Sequence, residues 1–463
     1  MYERLYKKID RLAALKWLIS IARDWQQHLP CIGQILFGYA AGWPSPVMPK
    51  LLDPDQFPRA PTPMQTNWIV SIIFIGCLIG TVISGPLSNT VGRKPCLIVG
   101  GSTASLSFLA LALIKHPYSL MAFRLTCGVG CSMVFGVNLV YIGEIASTEI
   151  RGMLLGSTGL FNSLGFLVVY SVGNYVPYDV INYIGMILGI VFVTGILFAP
   201  ETPIYYIIRG RNEEAKATLL ALGRKDDAEK VSELRMEIES NHKVKAWNTL
   251  LKVKCNRKAL VITSLLHIFQ QASGIGAMLA YTTMIFEISG SSITPYIATI
   301  IVGAVNLAAG FITPLFVERF GRKILLLLST FLTGLTLLIL AIYIYHYNTG
   351  NPAVLNIRWV PLPVYILYCI SYSFGFGVLP ATLVGEMFQL NVRSAGSAVA
   401  LCISWLAAFI CLSTFGYIIS GSGVHVAFAI FSASCGLAFL FTIFFVPETK
   451  GKSLIEVQEM LDK

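Results

Sequence analysis

Residues 85–94 read GPLSNTVGRK and residues 318–323 read ERFGRK. Each stretch closes on Gly-Arg-Lys, at Gly92-Arg93-Lys94 and Gly321-Arg322-Lys323, directly after a long apolar run. Two more pairs follow in the same order. Glu144 stands seven residues before Arg151 as Glu386 stands seven before Arg393, and Pro200-Glu201-Thr202 is matched by Pro447-Glu448-Thr449. A single shared tripeptide says little; three ordered pairs define an internal repeat of two parallel halves. Parallel repeats in a membrane place a binding path at the interface between the halves.

The surroundings of these motifs are those of a membrane protein. Of 463 residues, 55% are hydrophobic and 13% charged, against about 25% charged in soluble domains. That balance argues against a large soluble enzyme, a disordered chain or a disulfide scaffold. A spanning helix needs about 20 mostly apolar residues. Twelve such runs lie near 26–46, 67–87, 96–114, 119–142, 153–174, 181–199, 259–282, 294–317, 324–346, 359–384, 395–419 and 425–446. The fold class is an all-α integral membrane protein with twelve transmembrane helices in two six-helix bundles. The implied units are an N-terminal arm (1–25), a first bundle (26–200), a helical linker (201–258), a second bundle (259–446) and a tail (447–463). Within the linker, residues 211–239 are charge-rich with Leu219, Leu220, Leu222 and Leu234 interspersed, the pattern of surface amphipathic helices.

The net charge of +10 is a topology signal. With the N-terminus inside, all but five of the 34 Lys and Arg residues fall on the inner side, the exceptions being Lys50, Arg59, Lys115, Arg124 and Arg358. Cytoplasmic loops carry such an excess, and an even number of spans returns both termini to that side. The expected location is the plasma membrane, multi-pass, with both termini cytoplasmic, and nucleic-acid binding is not expected. Residues 1–24 carry charges throughout, including Lys7, Lys8 and Arg11, and lack a cleavage-site pattern, so a cleaved signal peptide is disfavoured. The ten cysteines show no metal-ligand spacing, and none lies clearly in an outer loop, so neither a metal site nor a disulfide is expected. With no nucleophile–base pair, His/Asp cluster or Walker sequence, the chain does not read as an enzyme or an ATP-driven pump. It implies no cofactor and no obligate protein partner.

Two sets of residues remain for function. Arg93, Glu144, Arg151, Glu318, Arg322, Glu386 and Arg393 cluster at inner helix ends in both halves, where carboxylates find arginine partners; they form a candidate cytoplasmic gate that must break on opening. Anchoring of helix ends in headgroups is the plainer alternative. Gln270 and Gln271 lie about eleven residues into their span, about 17 Å deep, with Asn306 and Trp405 at similar depth in theirs. Uncompensated amides are costly in hydrocarbon, so these four should face a wet cavity or one another. Gln270, Gly274, Ala277 and Tyr281 recur at helical spacing and would line a path ending in an aromatic; Tyr281 and Phe376 are assigned to the outer gate and path. Amides both donate and accept, and an indole stacks on sugar C–H faces, so the set suits a small, neutral, hydroxyl-rich solute. Adhesion between helices is the alternative reading of the amides. The expected partners are that solute and the lipid bilayer.

The quoted motifs, together with YIGEIASTEIRG (141–152), PETP (200–203), QQASGIGAMLAY (270–281) and PETKGKS (447–453), resemble the sugar-porter branch of the major facilitator superfamily over nearly the whole chain. The stretch GWPSP (42–46) is most similar to the branch holding insect facilitative trehalose transporters. The resemblance implies two rigid bundles that rock around a central site, and facilitative uniport of a neutral sugar such as trehalose or a hexose by alternating access. Several positions depart from the family pattern. Asn89 replaces an Asp, Gly159 a Gln and Gly276 an Asn; Val378 and Ala381 replace a Pro and a Trp, and Ser404 an Asn beside Trp405. These changes imply a larger cavity with fewer hydrogen-bond partners. Proton-coupled members carry Asp after Gly-Tyr in the first span, where this chain has Gly38-Tyr39-Ala40, and no carboxylate lies at midplane depth. Arg124, that aspartate's usual partner, is then left to snorkel outward, and His267 reads as a packed neutral histidine. A proton-coupled sugar symporter and a non-transporting sugar sensor on the same fold are the alternatives.

Overall fold

The computed structural model describes residues 29–242 and 246–462, and the expected arm at 1–25 lies outside them. Among the described residues, eleven helices are long and apolar enough to cross a membrane. Spans two to six are Pro63–Thr90, Arg93–Leu113, Pro117–Ile145, Thr148–Gly173 and Tyr178–Phe198. The seventh comes in pieces, Lys254–Ala272, Ile275–Ala280 and Thr282–Ile288. Pro295–Phe320 and Arg322–Asn348 follow, then a tenth span split into Pro361–Phe374 and Leu379–Met387, then Leu390–Gly421 and Val424–Phe445. The first span precedes these, also broken, as Leu29–Cys31, Ile32–Gly42 and Pro44–Leu51. Twelve spans form two bundles of six, which meet along spans two and eleven and along spans five and eight. Large apolar side chains such as Leu106, Phe198, Leu437 and Phe444 point outward, the surface that lipid requires.

At the face carrying the basic loops, each half is closed by the same clasp. Gly92 and Gly321 link consecutive spans with φ of 116° and 86° and ψ near 160°, a conformation essentially restricted to glycine. The turn aims the first N–H groups of the next helix at a carboxylate from the far end of the same half. Glu201 Oε1 accepts from Arg93 N at 3.2 Å and Lys94 N at 3.3 Å. Glu448 accepts from Arg322 N at 3.0 Å and Lys323 N at 3.1 Å. The lysine side chains reach the last turns of spans six and twelve, Lys94 Nζ to Leu197 O and Lys323 Nζ to Ile443 O, both at 2.8 Å. A carboxylate here satisfies orphan N–H groups and meets the positive end of the helix dipole. The repeated Pro-Glu-Thr, a marker in the sequence, is therefore a structural clasp. Burial pushes the Glu201 carboxyl above its usual range. At Glu448 burial acts in the same direction, but four backbone N–H groups outweigh it and hold the carboxyl below.

The linker forms four helices, Pro203–Ile208, Asn212–Ala221, Lys225–Glu229 and Val231–His242, packed around Ile207, Leu219, Ala228 and Val231, followed by Ala246–Lys252. It touches the first bundle through Arg224, whose Nη1 donates to Glu144 O at 2.7 Å. A tail helix, Leu454–Asp462, buries Val457 and Leu461 against the second bundle.

A Cβ at Gly92 or Gly321 would lie 2.4 or 2.9 Å from the clasp carboxylate. Gly92→Ala and Gly321→Ala are each expected to cost about 1–3 kcal/mol, read as a lower thermal midpoint of the purified protein. Gly85→Ala, with open space around its Cβ, is expected to leave the midpoint unchanged.

Candidate solute site between the two halves

A cavity of 640 Å³ lies between the bundles. Gln271, Asn306, Trp405, Asn162 and Phe37 line it at depth, and it runs on to Gly152 and Arg322, at the basic-loop ends of spans five and nine. Toward the opposite face the halves are joined. Ser45 Oγ and Thr283 Oγ1 are 3.0 Å apart, Tyr170 donates to Leu279 O at 2.6 Å, and Asn67 Nδ2 donates to Ser413 O at 2.8 Å. Beyond this seal a second cavity of 400 Å³, lined in part by Asn67, Tyr281 and Glu287, faces the other way. The described state is thus closed toward one face and continuous with the other.

Three of the four deep residues singled out in the sequence line the central cavity. Trp405 packs against Phe37, Phe74 and Phe135, with ring centroids at 5.5, 6.0 and 5.9 Å, and its Nε1 donates to Thr81 Oγ1 at 3.0 Å. Gln271 Nε2 donates to Ser404 Oγ at 3.0 Å, so the serine found in place of the family's Asn holds the amide. Asn306 Nδ2 lies 3.9 Å from Cys369 Sγ. Gln270 is placed elsewhere: buried, it donates through Nε2 to Phe376 O at 2.7 Å and Gly377 O at 3.1 Å and is not part of the cavity wall. The stripe expected at Gln270, Gly274, Ala277 and Tyr281 is correspondingly displaced, and Gln271, Ile275 and Leu279 line the cavity. The cause is a break: the helix stops at Ala272 and restarts at Ile275 through Gly274, whose φ is 81° and whose Cβ position is filled by the Phe431 ring.

Tyr281 lines the second cavity, with its ring 5.2 Å from Phe415. Phe376, expected with it on the outer path, instead sits in the mid-depth break of the tenth span, fully buried. That break has a simple origin. Pro380 has no N–H, so the carbonyl four residues earlier, Phe376 O, loses its helical donor, and Gln270 supplies one. The first span repeats the device. Pro44 leaves Ala40 O without a donor, and Arg124 Nη1 donates to it at 2.9 Å. Arg124 therefore does not snorkel outward: it is fully buried beneath Trp43, with the guanidinium 4.7 Å from the ring centroid. His267 is buried, its Nδ1 2.9 Å from Thr263 O.

The charge cluster at the basic face forms pairs within halves. Arg93 meets Glu144 at 3.0 Å and Arg322 meets Glu386 at 2.9 Å. Both pairs are intact in the described state, in which the cavity reaches that face, and each joins elements of one bundle. Among the described residues, Arg151 and Arg393 each keep a buried Nε without a hydrogen-bond partner, and Arg151 Nη2 donates to Ala146 O at 3.4 Å. The Glu318 side chain lies outside the described residues. Asn162, not among the residues expected at the site, also lines the cavity, and its buried Oδ1 has no hydrogen-bond partner among the described residues. Its place about nine residues into the apolar run at 153–174, about 14 Å deep, was the available signal.

The family described as Sugar (and other) transporter matches residues 27–461. The chain belongs to the sugar transporter family. It is 34% identical to a protein named facilitated trehalose transporter Tret1 from Polypedilum vanderplanki, over 93% of this chain and 86% of that one. To the Culex quinquefasciatus protein of the same name it is 32% identical, over 93% and 84%. Among solved structures, the inward open conformation of the xylose transporter XylE from E. coli superposes with a TM-score of 0.78 at 24% identity, covering 94% of this chain and 98% of that one. At that identity the likeness shows the fold: a major facilitator arrangement of two helical bundles.

Within this fold, Gln270 and Gln271 separate by readout. Gln270→Ala leaves Phe376 O bare in the interior and is expected to cost about 1–3 kcal/mol of stability. The double change Gln270→Ala with Pro380→Ala restores a donor to Phe376 O and is expected to recover much of the loss in thermal midpoint. Gln271→Ala is expected to leave the midpoint nearly unchanged and to weaken apparent sugar affinity about tenfold, the loss of about one hydrogen bond.

Proposed function

We propose that the protein is a facilitative uniporter that carries a neutral sugar, of disaccharide size and with trehalose the first candidate, across the plasma membrane by alternating access. The observation that carries this reading is the cavity between the halves, sealed toward one face by hydrogen bonds between bundles and open along Gly152 and Arg322 at the other. The basic face is taken as cytoplasmic, with both termini there, because the excess of Lys and Arg lies on it. The bundles are assigned to 26–200 and 259–446, joined by the cytoplasmic linker 201–258.

Gln271, Asn306 and Asn162 supply donors and acceptors for hydroxyls, and Trp405 the stacking face. Gly159 and Gly276 stand where the family carries amides, with nothing within 4 Å of either Cβ position. The volume of 640 Å³ is within the range of about 300–1,000 Å³ usual for small-molecule sites, and suits a disaccharide. Among the described residues no carboxylate lines the cavity, which supports uniport over proton coupling. Arg93, Glu144, Arg151, Glu318, Arg322, Glu386 and Arg393 are the residues assigned to the cytoplasmic gate, with Arg151 and Arg393 coming from opposite halves. The relatives named facilitated trehalose transporter point the same way for the solute.

The test is counterflow in proteoliposomes. Preloaded trehalose should drive uptake of labelled trehalose, and an imposed inward proton gradient should not raise uptake. Binding without exchange, or gradient-driven accumulation, would overturn the reading. Gly159→Gln, which refills the cavity with an amide, is expected to lower trehalose uptake severalfold relative to glucose.

A further inference from the structure

Two arginines stand in the wall of the central cavity, and while Arg322 is paired with Glu386, Arg124 has no carboxylate partner among the described residues. It is fully buried on the fourth span, and two of its nitrogens are used: Nη1 donates to Ala40 O at 2.9 Å and Nε to Ile69 O at 3.4 Å. Nη2 is buried and has no hydrogen-bond partner among the described residues, and the residue forms part of the wall of the central cavity. Its ionisable neighbours are Cys77, Cys127, Cys131 and Tyr178, and among the described residues no carboxylate lies within ion-pair distance of it.

The repeat shows that bracing the broken span does not need a charge. Arg124 stands as far before Glu144 as Ile366, the neighbour of Tyr365, stands before Glu386. In the second half the tenth span braces the broken seventh with phenols: Tyr365 donates to Met278 O at 2.6 Å and Tyr368 to Ser273 O at 3.2 Å. In the first half a guanidinium does this work, and arginine cannot shed its proton to become neutral. A buried cation without a counter-charge is costly, and stacking on Trp43 returns only part of that.

We propose that Arg124 Nη2 binds a small monovalent anion that enters from the central cavity. A charge-assisted hydrogen bond to the free N–H group completes the guanidinium and neutralises the site. The anion has two possible sources, a free halide such as chloride or the carboxylate of a sugar acid. The inference depends on the transport reading only in taking the cavity to be reached by solvent, and its test does not use transport.

Purified full-length protein in detergent is unfolded thermally while sodium isethionate is replaced stepwise by sodium chloride, and in a parallel series by sodium glucuronate, at constant ionic strength. A saturable rise of the midpoint is expected with at least one of the two. A rise with chloride alone assigns a free halide; a rise at lower glucuronate than chloride concentration assigns a carboxylated solute. Arg124→Lys keeps the charge but spends its ammonium on Ala40 O, and is expected to raise the half-saturating concentration about tenfold. Arg124→Gln is expected to abolish the response. Should that variant fail to fold, the wild-type and Arg124→Lys series still decide. No saturable rise in the wild type, or an unchanged half-saturation in Arg124→Lys, overturns the proposal. Failure of the transport reading would appear separately, as absent trehalose exchange with the anion response intact.

Discussion

A proline inside a membrane helix takes the donor from one backbone carbonyl, and hydrocarbon offers no water to replace it. In this protein Pro44 strips Ala40 O and Pro380 strips Phe376 O, and the arrangement around the central cavity follows from how those two oxygens are served. Arg124 on the fourth span reaches Ala40 O, and Gln270 on the seventh reaches Phe376 O. The seventh span is itself broken at Gly274 and Tyr281, and its freed carbonyls are taken by tyrosines of the tenth span and, for Leu279 O, by Tyr170 of the other half. Broken backbone is tolerated at membrane depth where it is braced by protein or borders a cavity, and both conditions hold here. Spans seven and ten hold each other, and this leaves the next residue along, Gln271, to face the solute space.

The same accounting separates what is rigid from what moves. Within each half the clasp of Glu201 or Glu448, the pairs Arg93–Glu144 and Arg322–Glu386, and the braces of the broken helices interlock. Between the halves the named polar contacts are few: Ser45 with Thr283, Tyr170 with Leu279 O, Asn67 with Ser413 O and Trp405 with Thr81. At about 1 kcal/mol net apiece these amount to a few kcal/mol, the scale of gap between two conformations that a bound ligand can tip. Bundles tied strongly inside and weakly across are what a rocking mechanism needs.

The sequence disclosed the spans, the repeat and the basic face because each rests on a local count: apolar run length, recurring tripeptides, and Lys and Arg per loop. It placed Gln271, Asn306 and Trp405 on the cavity because depth follows directly from helical rise. It misplaced Gln270, Phe376 and Arg124 for a common reason. Each serves or belongs to a helix break, and periodicity assumes an unbroken helix. The two prolines that cause the breaks were visible, and subtracting four from their numbers would have pointed to Ala40 and Phe376. What no spacing could supply is the identity of the donor, since Arg124 and Gln270 are far from those carbonyls along the chain. Glu201 and Glu448 were legible as a repeat but not as clasps, because their partners are backbone N–H groups, which every residue type shares.

The repeat also shows where symmetry ends, and that point is chemically informative. Clasps and ion pairs match between halves almost atom for atom, as expected if both bundles need the same basic-face construction. The braces at mid-depth do not match. One half uses neutral phenols and an amide, the other a guanidinium stacked on an indole. A structural brace alone would favour the neutral solution, because it avoids the desolvation of a charge. The charged one stands in the wall of the cavity, where that cost can be offset by what enters. On the proposed reading, solute selectivity is set at two levels: neutral amides and aromatics select for hydroxyls, and the positive charge of Arg124, which has no carboxylate partner among the described residues, biases the potential of the space they enclose.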